Sequence, residues 1–456
     1  MNTSDDTLAG PRLPRDFVIG AATASYQVEG ATTEDGRGRS IWDTFAGTPG
    51  TIADGTTGDV ADDHYHRYAD DVALMADLGL DAYRFSIAWP RIQPGGTGRA
   101  LSAGIDFYRR LAESLLQKGI TPWATLYHWD LPQALEDRGG WLDPDTANRF
   151  ADYAAAVQDG LGDLITHWIT LNEPWCAAFL GYASGVHAPG KQLGSEAAHA
   201  AHHLLRGHGL ASQVLRRDAA ARVGVTLNLY SVRPASSAPD DVDAARRIDG
   251  LQNRFFLEPV LRGSYPEDVL TDLGETAWFA ERTGDLTSIA APLDFLGINY
   301  YSRHTTTTTD RPARPSAYPG SEQVTMVATG AATTEMGWEI HPDGMVDVLR
   351  QAAAMAPELP LYITENGSAW PDAPSADGAF DDVERRRYLH DHLAACRQAI
   401  DAGIDLRGYF IWTLTDNWEW AFGQSRRFGL IHVDYDTQRR TVKHSGEWLR
   451  SFLATR

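Results

Sequence analysis

Cysteine is nearly absent from this chain of 456 residues, and several common functional motifs are missing as well. The two cysteines, Cys176 and Cys396, are too few for a disulfide framework or a zinc ribbon. No dinucleotide fingerprint or phosphate-binding glycine loop follows a predicted strand. The net charge of −21 disfavours nucleic acid and anionic membrane surfaces as partners.

The sequence also lacks long apolar runs, since no stretch approaches the roughly 20 residues that a membrane helix needs. Its first residues are polar and acidic, unlike the basic and apolar start of a signal peptide. We therefore expect a cytoplasmic protein with no membrane partner, either a monomer or a homo-oligomer. Residues 1–14 are predicted to form a disordered tail.

Short apolar stretches alternate with helical patterns along the rest of the chain. The predicted strands are 17–24, 82–89, 121–127, 167–171, 223–228, 294–301, 361–365 and 406–414. The main predicted helices are 63–78, 105–117, 145–161, 195–218, 344–355, 384–402 and 445–453, and 31–62 and 303–335 are predicted to be long loops. Eight strand–helix units without a linker predict one α/β domain over residues 15–456, a (β/α)8 TIM barrel with elaborated βα loops.

The predicted strand that ends at Glu365 is otherwise uncharged. Burying a carboxylate at the inner end of such a strand costs free energy unless the group has ion-pair or hydrogen-bond partners or a functional role. A lone glutamate there is most simply structural, but most of the other predicted strands also end in polar or aromatic residues. Since active sites of such barrels lie at the carboxyl ends of the strands, this ring favours an active site.

Two of these strand ends carry short signatures, Asn172-Glu173-Pro174 and Thr364-Glu365-Asn366-Gly367. They resemble the two catalytic signatures of the family 1 glycoside hydrolases, the β-glucosidase family. Further stretches that are similar to this family are 22–27, 83–89, 126–130, 297–301 and 416–420, so the resemblance runs from Phe17 to about Phe452.

The resemblance implies a retaining, exo-acting β-glycosidase without a cofactor. The expected substrates are terminal non-reducing β-D-glucosyl residues, as in cellobiose or aryl and alkyl β-glucosides, with side activity on β-galactosides and β-fucosides. The substrate partner would be a small glycoside or a short oligosaccharide. The two signature glutamates lie on strands four and seven of the ring, which places their carboxyl groups roughly 5–6 Å apart. That separation is closer to the retaining than to the inverting geometry.

The family pattern assigns roles to individual residues. It implies that Glu173 is the general acid and base, and that Glu365 is the nucleophile. The residues expected to support the nucleophile are Arg84, Asn299 and Tyr301. The residues expected to bind substrate are Gln27, His128, Trp129, Asn172, Trp338, Trp412, Glu419, Trp420 and Phe428. The bond between Trp412 and Thr413 is a candidate cis peptide.

Three alternatives use the same scaffold, namely a non-catalytic sugar-binding barrel, a transglycosylase and a 6-phosphoglycosidase. The presence of both signature glutamates disfavours the first. Glu419 is retained and none of the three lysines lies in a motif, which indicates an unphosphorylated substrate. The residues after Trp420 depart from the common pattern, so the sequence leaves the choice among glucose, galactose and fucose open.

Other reactive residue types have simpler interpretations. His64 and His66, and the group His202, His203 and His208, lie in helical patterns with no cysteine or aspartate to complete a metal site. Cys176 follows the Glu173 signature but has no matched base, which disfavours a nucleophilic thiol.

Overall fold

The computed structural model describes Leu8 and residues 10–376 and 378–456. Strands within these residues are β1 (Val18–Ala22), β2 (Ala82–Ser86), β3 (Thr121–Tyr127), β4 (His167–Asn172), β5 (Arg222–Asn228), β6 (Ser231–Pro234), β7 (Phe295–Asn299), β8 (Arg303–Thr308), β9 (Val324–Met326), β10 (Leu361–Asn366), β11 (Leu406–Trp412), β12 (Ile431–Val433) and β13 (Arg440–Val442).

Helices surround these strands. They are α1 (Ser25–Val28), α2 (Ile41–Ala46), α3 (His64–Leu78), α4 (Trp89–Ile92), α5 (Ser102–Gln117), α6 (Gln133–Glu136), α7 (Asp145–Leu161), α8 (Ala197–Leu215), α9 (Pro239–Asp249), α10 (Phe255–Arg262), α11 (Glu267–Leu273), α12 (Thr276–Ala280), α13 (Leu286–Ile289), α14 (Pro342–Met355), α15 (Val383–Asp401) and α16 (His444–Leu453). A π-helix, Cys176–Ser184, follows β4.

Eight of the strands close into a parallel barrel in the order β1-β2-β3-β4-β5-β7-β10-β11. Nearly every residue of these strands is buried, because the helices cover the outer face and side chains fill the interior. The barrel confirms the predicted fold. The long helices α3, α5, α7, α8, α14, α15 and α16 also lie within a few residues of their predicted bounds.

Two stretches predicted to be loops contain regular structure. The stretch 303–335 was predicted as a loop, but β8 and β9 lie within it and form a small sheet with β6. That prediction was wrong because the threonine run 305–309 consists of β-branched residues, which favour strands. The stretch 31–62 contains α2, which begins at a capping box formed by Ser40 and Asp43.

The predicted tail, residues 1–14, falls partly outside the described residues. Within the described part, the Leu8 carbonyl accepts a hydrogen bond from Trp448 Nε1 at 2.8 Å. The Arg12 carbonyl accepts one from Arg397 Nη1 at 3.1 Å. The described part of this segment therefore contacts α15 and α16. None of the described helices combines the length and the apolar character needed to cross a membrane.

A buried ion-pair cluster ties the C-terminal segment to the end of β11. Lys443 is fully buried, and its Nζ lies 2.6 Å from Asp416 Oδ1 and also contacts Asp372. Asp416 accepts two further hydrogen bonds, from the Gly429 amide at 3.0 Å and from Arg427 at 2.8 Å. Burial opposes ionisation of Asp416, yet Lys443 and its other partners hold the pKa of this carboxyl well below its usual range.

Replacing Lys443 with alanine should destabilise the fold, because it leaves the Asp416 and Asp372 carboxylates short of a buried cation. We expect a loss of about 3 kcal/mol of unfolding free energy, measurable as a lower Tm. The matched control is Lys118→Ala, which removes an exposed lysine at the end of α5. Equal melting temperatures for the two variants would contradict a stabilising role for the cluster.

Candidate active site

The two signature glutamates lie at the carboxyl ends of barrel strands. Glu173 directly follows β4, and Glu365 lies near the end of β10. In the ring these two strands are three positions apart, with β5 and β7 between them. Both carboxyl groups are buried, with side chains pointing into one pocket. The barrel therefore brings together two residues that are 192 positions apart in the chain.

Both carboxylate oxygens of Glu365 accept hydrogen bonds from strong donors. Arg84 Nη1 donates to Oε1 at 2.6 Å, and the Tyr301 hydroxyl donates to Oε2 at 2.8 Å. Arg84 itself is fixed by the Thr364 carbonyl, to which it donates at 3.0 Å. Burial raises the pKa of Glu365, whereas the Arg84 guanidinium and the Tyr301 hydroxyl lower it. These donors favour the ionised form of Glu365.

Glu173 lies in a different electrostatic environment. Its Oε1 accepts a hydrogen bond from Asn299 Nδ2 at 2.6 Å, and its Oε2 lies 3.0 Å from Cys176 Sγ. No arginine or lysine pairs with it among the described residues. Burial and the nearby charge of Glu365 raise the pKa of Glu173 to about 7. Glu173 is therefore the carboxyl group of the pair that more readily holds a proton.

Asn172 links these two environments. Its Oδ1 accepts hydrogen bonds from Arg84 Nη2 at 2.6 Å and from Asn299 Nδ2 at 3.0 Å. These two donors fix the orientation of the Asn172 amide, so its Nδ2 faces His128 Nε2 at 2.9 Å. Because Nδ2 can only donate, Nε2 of His128 accepts, and the proton of the ring is on Nδ1.

His128 lines the pocket, and its neutral ring carries the proton on Nδ1. Its Nδ1 is buried and has no partner among the described residues. Burial, together with the charge of Arg84, lowers the pKa of His128 well below its usual range, so the ring is neutral. A buried N–H group is costly unless a water molecule or a ligand accepts a hydrogen bond from it.

Asn299 is expected from the family pattern to support the nucleophile. The structure places its shortest hydrogen bond on Glu173, and its amide also lowers the pKa of Glu365. Thr364 Oγ1 donates to Asn299 Oδ1 at 2.8 Å and accepts from Thr226 Oγ1 at 3.2 Å. This chain of hydroxyl groups fixes the amide orientation, so Nδ2 faces the carboxyl groups.

The pocket is lined mainly by aromatic and apolar side chains. The lining residues are His128, Trp129, Glu173, Trp175, Cys176, Leu180, His187, Asn228, Tyr230, Tyr301, Met336, Trp338, Glu365, Trp412, Glu419, Trp420, Phe422 and Phe428. The predicted residues Gln27, Arg84, Asn172 and Asn299 lie behind this surface and hold its members. Gln27 Nε2, for example, donates to Glu419 Oε2 at 3.1 Å. Burial raises the pKa of Glu419 to about 8.

Several lining residues were not predicted from the sequence to be part of the site. They are Trp175, Cys176, Leu180, His187, Asn228, Tyr230, Met336 and Phe422. Asn228 is the polar last residue of β5, so the rule that polar strand ends face the site would have found it. Met336 comes from a long loop and Phe422 from the short 3-10 segment Trp420–Ser425, and no short-range pattern predicts the course of either.

The backbone at the pocket includes several uncommon conformations. Trp129, Glu173 and Trp420 have positive φ angles of 75°, 46° and 46°. The left-handed region is uncommon for bulky residues, and such strain collects at functional sites. The peptide bond between Trp412 and Thr413 is cis, as predicted.

The histidines outside the pocket have structural partners. His64 Nδ1 lies 2.7 Å from Asp71, and His208 Nδ1 lies 2.6 Å from the Thr170 hydroxyl. His202 contacts Tyr265 and Asp285. The described residues contain no cluster of three or more histidine, cysteine, aspartate or glutamate side chains that could hold a metal ion.

A barrel whose strand ends place two carboxyl groups in an aromatic-walled pocket is typical of enzymes that hydrolyse glycosides. Comparison with known proteins agrees with this class. The family model for glycosyl hydrolase family 1 matches residues 10–456. The chain belongs to this family and is therefore an enzyme that hydrolyses glycosides.

Similar proteins come from several bacteria. A thermostable β-glucosidase B of Thermobispora bispora is 50% identical over 99% of this chain and 92% of that protein. A bifunctional β-D-glucosidase/β-D-fucosidase of Bifidobacterium breve is 47% identical over 97% of this chain and 98% of that protein. The crystal structure of a psychrophilic β-glucosidase from Micrococcus antarcticus has 47% identity, a TM-score of 0.92 and 97% coverage of both chains.

Substituting Gly297 in β7 with alanine should disturb the site without touching a carboxyl group. An added Cβ would lie 2.3 Å from Thr226 Oγ1 and 2.8 Å from Thr364 Oγ1, the hydroxyl groups that fix Asn299. Because small misplacements of catalytic groups are costly, we expect kcat for an aryl β-glycoside to fall about 100-fold.

The matched control is Gly284→Ala, since nothing lies within 4 Å of a Cβ at that exposed position. That variant should keep its activity. Full activity of Gly297→Ala, in protein that melts as the parent does, would show that the threonine pair does not control the geometry of the site.

Proposed function

We propose that this chain is a retaining, exo-acting β-glucosidase. It would release glucose from the non-reducing end of cellobiose and of aryl or alkyl β-glucosides through a covalent glycosyl-enzyme. The observation that carries the proposal is the contrast between the two carboxyl groups. Arg84 and Tyr301 donate to both oxygens of Glu365, whereas burial and the charge of Glu365 favour a proton on Glu173.

In the first step, the Glu365 carboxylate would attack the anomeric carbon. Glu173 would donate its proton to the glycosidic oxygen, so that the aglycone leaves as a neutral alcohol. Formation of the ester removes the charge of Glu365, and Glu173 then loses the neighbour that raised its pKa. In the second step, ionised Glu173 would take a proton from water as this water attacks the anomeric carbon. The bond between that carbon and Glu365 breaks, which restores the carboxylate and releases the sugar with retained configuration.

The polar groups around the carboxyl pair suit a sugar ring. Asn172 lies just behind the lining residue His128 and uses one Nδ2 hydrogen on His128 Nε2, which leaves the second for a sugar hydroxyl. Glu419, held by Gln27, supplies a carboxyl group that binds hydroxyl groups. The indole of Trp412 supplies a surface on which the apolar face of the ring can stack. Asn172 is the residue next to Glu173, which suits a contact with the 2-hydroxyl.

The preferred sugar is proposed to be unphosphorylated. Neither lysine nor arginine is among the described residues that line the pocket. Arg84 lies behind the surface and is engaged by Glu365 and Asn172. A phosphate beside Glu419 would therefore lose its hydration without gaining a cation. The names of the relatives from Thermobispora bispora and Bifidobacterium breve support glucosides, with fucosides as additional substrates.

Variants of the two glutamates test the proposal directly. Glu365→Gly should abolish turnover of 4-nitrophenyl β-glucoside, because no nucleophile remains. Glu173→Ala should lower turnover of this substrate by about 10²–10⁴-fold, the usual contribution of a general acid. The leaving group of 2,4-dinitrophenyl β-glucoside needs no acid. With this substrate, added azide should restore turnover by Glu173→Ala and yield β-glucosyl azide.

The stereochemistry of that azide product is the decisive readout. A β-configured azide requires two inversions and hence a glycosyl-enzyme, whereas an α-configured azide would contradict retention. Normal turnover by Glu365→Gly would refute the assignment of the nucleophile.

The pH profile of kcat/KM should be bell-shaped. Above pH of about 7 the rate should fall, because Glu173, whose pKa is raised to about 7, loses the proton that it must donate. On the acidic side, Glu365 must be ionised, and its pKa is raised above the ordinary value for glutamate. The acidic limb should therefore lie at higher pH than for an unperturbed carboxyl group.

Glu419 also titrates in this range, with a pKa of about 8, so Glu419→Gln is the control for the basic limb. That variant should bind sugar more weakly but keep its basic limb near pH 7. If the basic limb were lost in Glu419→Gln, that limb would report the titration of Glu419 and not that of Glu173.

A further inference from the structure

The two oxygens of Glu173 have different neighbours. Oε1 accepts the Asn299 amide hydrogen at 2.6 Å, whereas Oε2 lies 3.0 Å from Cys176 Sγ. Because the amide hydrogen points at Oε1, a proton carried by Glu173 is placed on Oε2. The thiol therefore lies beside the oxygen that would gain and lose the proton in each turnover.

A second neighbour orients this thiol. Cys176 is the first residue of the π-helix after β4 and is buried. Asn228 Nδ2, at the end of β5, donates to Cys176 Sγ at 3.5 Å. With the sulfur accepting from Asn228, the S–H hydrogen is free to point at Glu173 Oε2.

The thiol remains protonated in this position. Burial and the charge of Glu173 raise the pKa of Cys176 well above its usual range. A hydrogen bond from a neutral donor is stronger to a carboxylate than to a carboxylic acid, so it favours the ionised form. The S–H group therefore opposes the effects of burial and of Glu365 on Glu173.

We propose that Cys176 is a positioning residue, whose thiol donates to Glu173 Oε2 and eases the change of this carboxyl group from acid to base. The proposal rests on the function proposed above, in which Glu173 exchanges a proton in both steps. It assigns no bond-making step to the sulfur. A hydrophobic side chain of similar size would fill the same space but would not donate.

Other charged or titratable groups act on the pocket from the surrounding strand ends and must be distinguished from the thiol. They are Arg84, His128, His187, Tyr230, Tyr301, Glu365 and Glu419. Burial keeps the two tyrosines protonated and the two histidines neutral near pH 7, because it disfavours their charged forms. The two glutamates are thus the groups whose titration could be mistaken for that of Glu173.

The test compares Cys176→Ala, Cys176→Val and Cys176→Ser by the pH profile of kcat/KM on 4-nitrophenyl β-glucoside. Loss of the S–H donor in the alanine and valine variants should move the basic limb upward by about half a pH unit, the effect of one weak hydrogen bond. Serine, which can donate, should keep the limb near its original position. The control is Cys396→Ala, which removes the other buried thiol, on α15.

An unchanged basic limb in both Cys176→Ala and Cys176→Val, with activity intact, would overturn the proposal and leave the proposed function standing. Failure of the proposed function has a different signature, because the parent enzyme itself would then not hydrolyse the β-glucoside.

A second measurement does not depend on turnover. In Cys396→Ala the remaining thiol gives a single S–H stretching band in the infrared, a region where other protein groups scarcely absorb. This band should move to lower frequency as the pH rises through about 7, because Glu173 becomes a charged acceptor. Adding Glu173→Gln should remove the pH dependence. A band that does not move with pH in the presence of Glu173 would overturn the proposal.

Discussion

Arg84 and Glu365 form a buried ion pair in which Glu365 lines the pocket and Arg84 lies behind it. A buried pair of this kind persists only where further hydrogen bonds satisfy its remaining groups. Here Thr364 and Asn172 accept from the guanidinium, and Tyr301 donates to the carboxylate. Burial, together with the charge held on Glu365, makes a charge on Glu173 unfavourable. One arginine thus determines which carboxyl group is ionised and which holds a proton.

The barrel converts this local arrangement into a site that can react. Parallel strands place their carboxyl ends on one rim, so side chains from β2, β4, β7 and β10 meet in a single hydrogen-bond network. Loops after the strands then supply the aromatic walls, including Trp338 and Trp420. The network is rigid because strands carry it, and the walls can vary because loops carry them. This division explains how the chemistry of such a site can persist while the accepted aglycone changes.

Much of this was predictable from the sequence, for identifiable reasons. Each barrel strand is a short apolar run bounded by turn residues, and the long helices carry clear apolar spacing, so periodicity located them. The strand-end rule placed Glu173 and Glu365 in one region, and the family resemblance added Arg84 and His128. The strand β8 was missed because a polar threonine run gives no burial signal, and β9 because it is only three residues long.

Other parts of the site could not be predicted because they depend on contacts between side chains that form only in the folded chain. Nothing in the sequence shows that Asn299 makes its shortest hydrogen bond to Glu173, or that Thr364 fixes its amide. The contact between Cys176 and Glu173 depends on the π-helical turn that follows β4, and no composition pattern predicts such a turn. These residues are separated in sequence or lie on irregular turns, so only coordinates reveal their contacts.

The assignment of acid and nucleophile depends on the charge of Glu365, which acts with burial to raise the pKa of Glu173. The effect of this charge can be measured by carbon-13 NMR of labelled Glu173, titrated in the free enzyme and after Glu365 is trapped as a 2-deoxy-2-fluoroglucosyl ester. The account predicts that the pKa of Glu173 is about 7 in the free enzyme and clearly lower in the trapped one. The same pKa in both forms would contradict it, because the two carboxyl groups would then titrate independently.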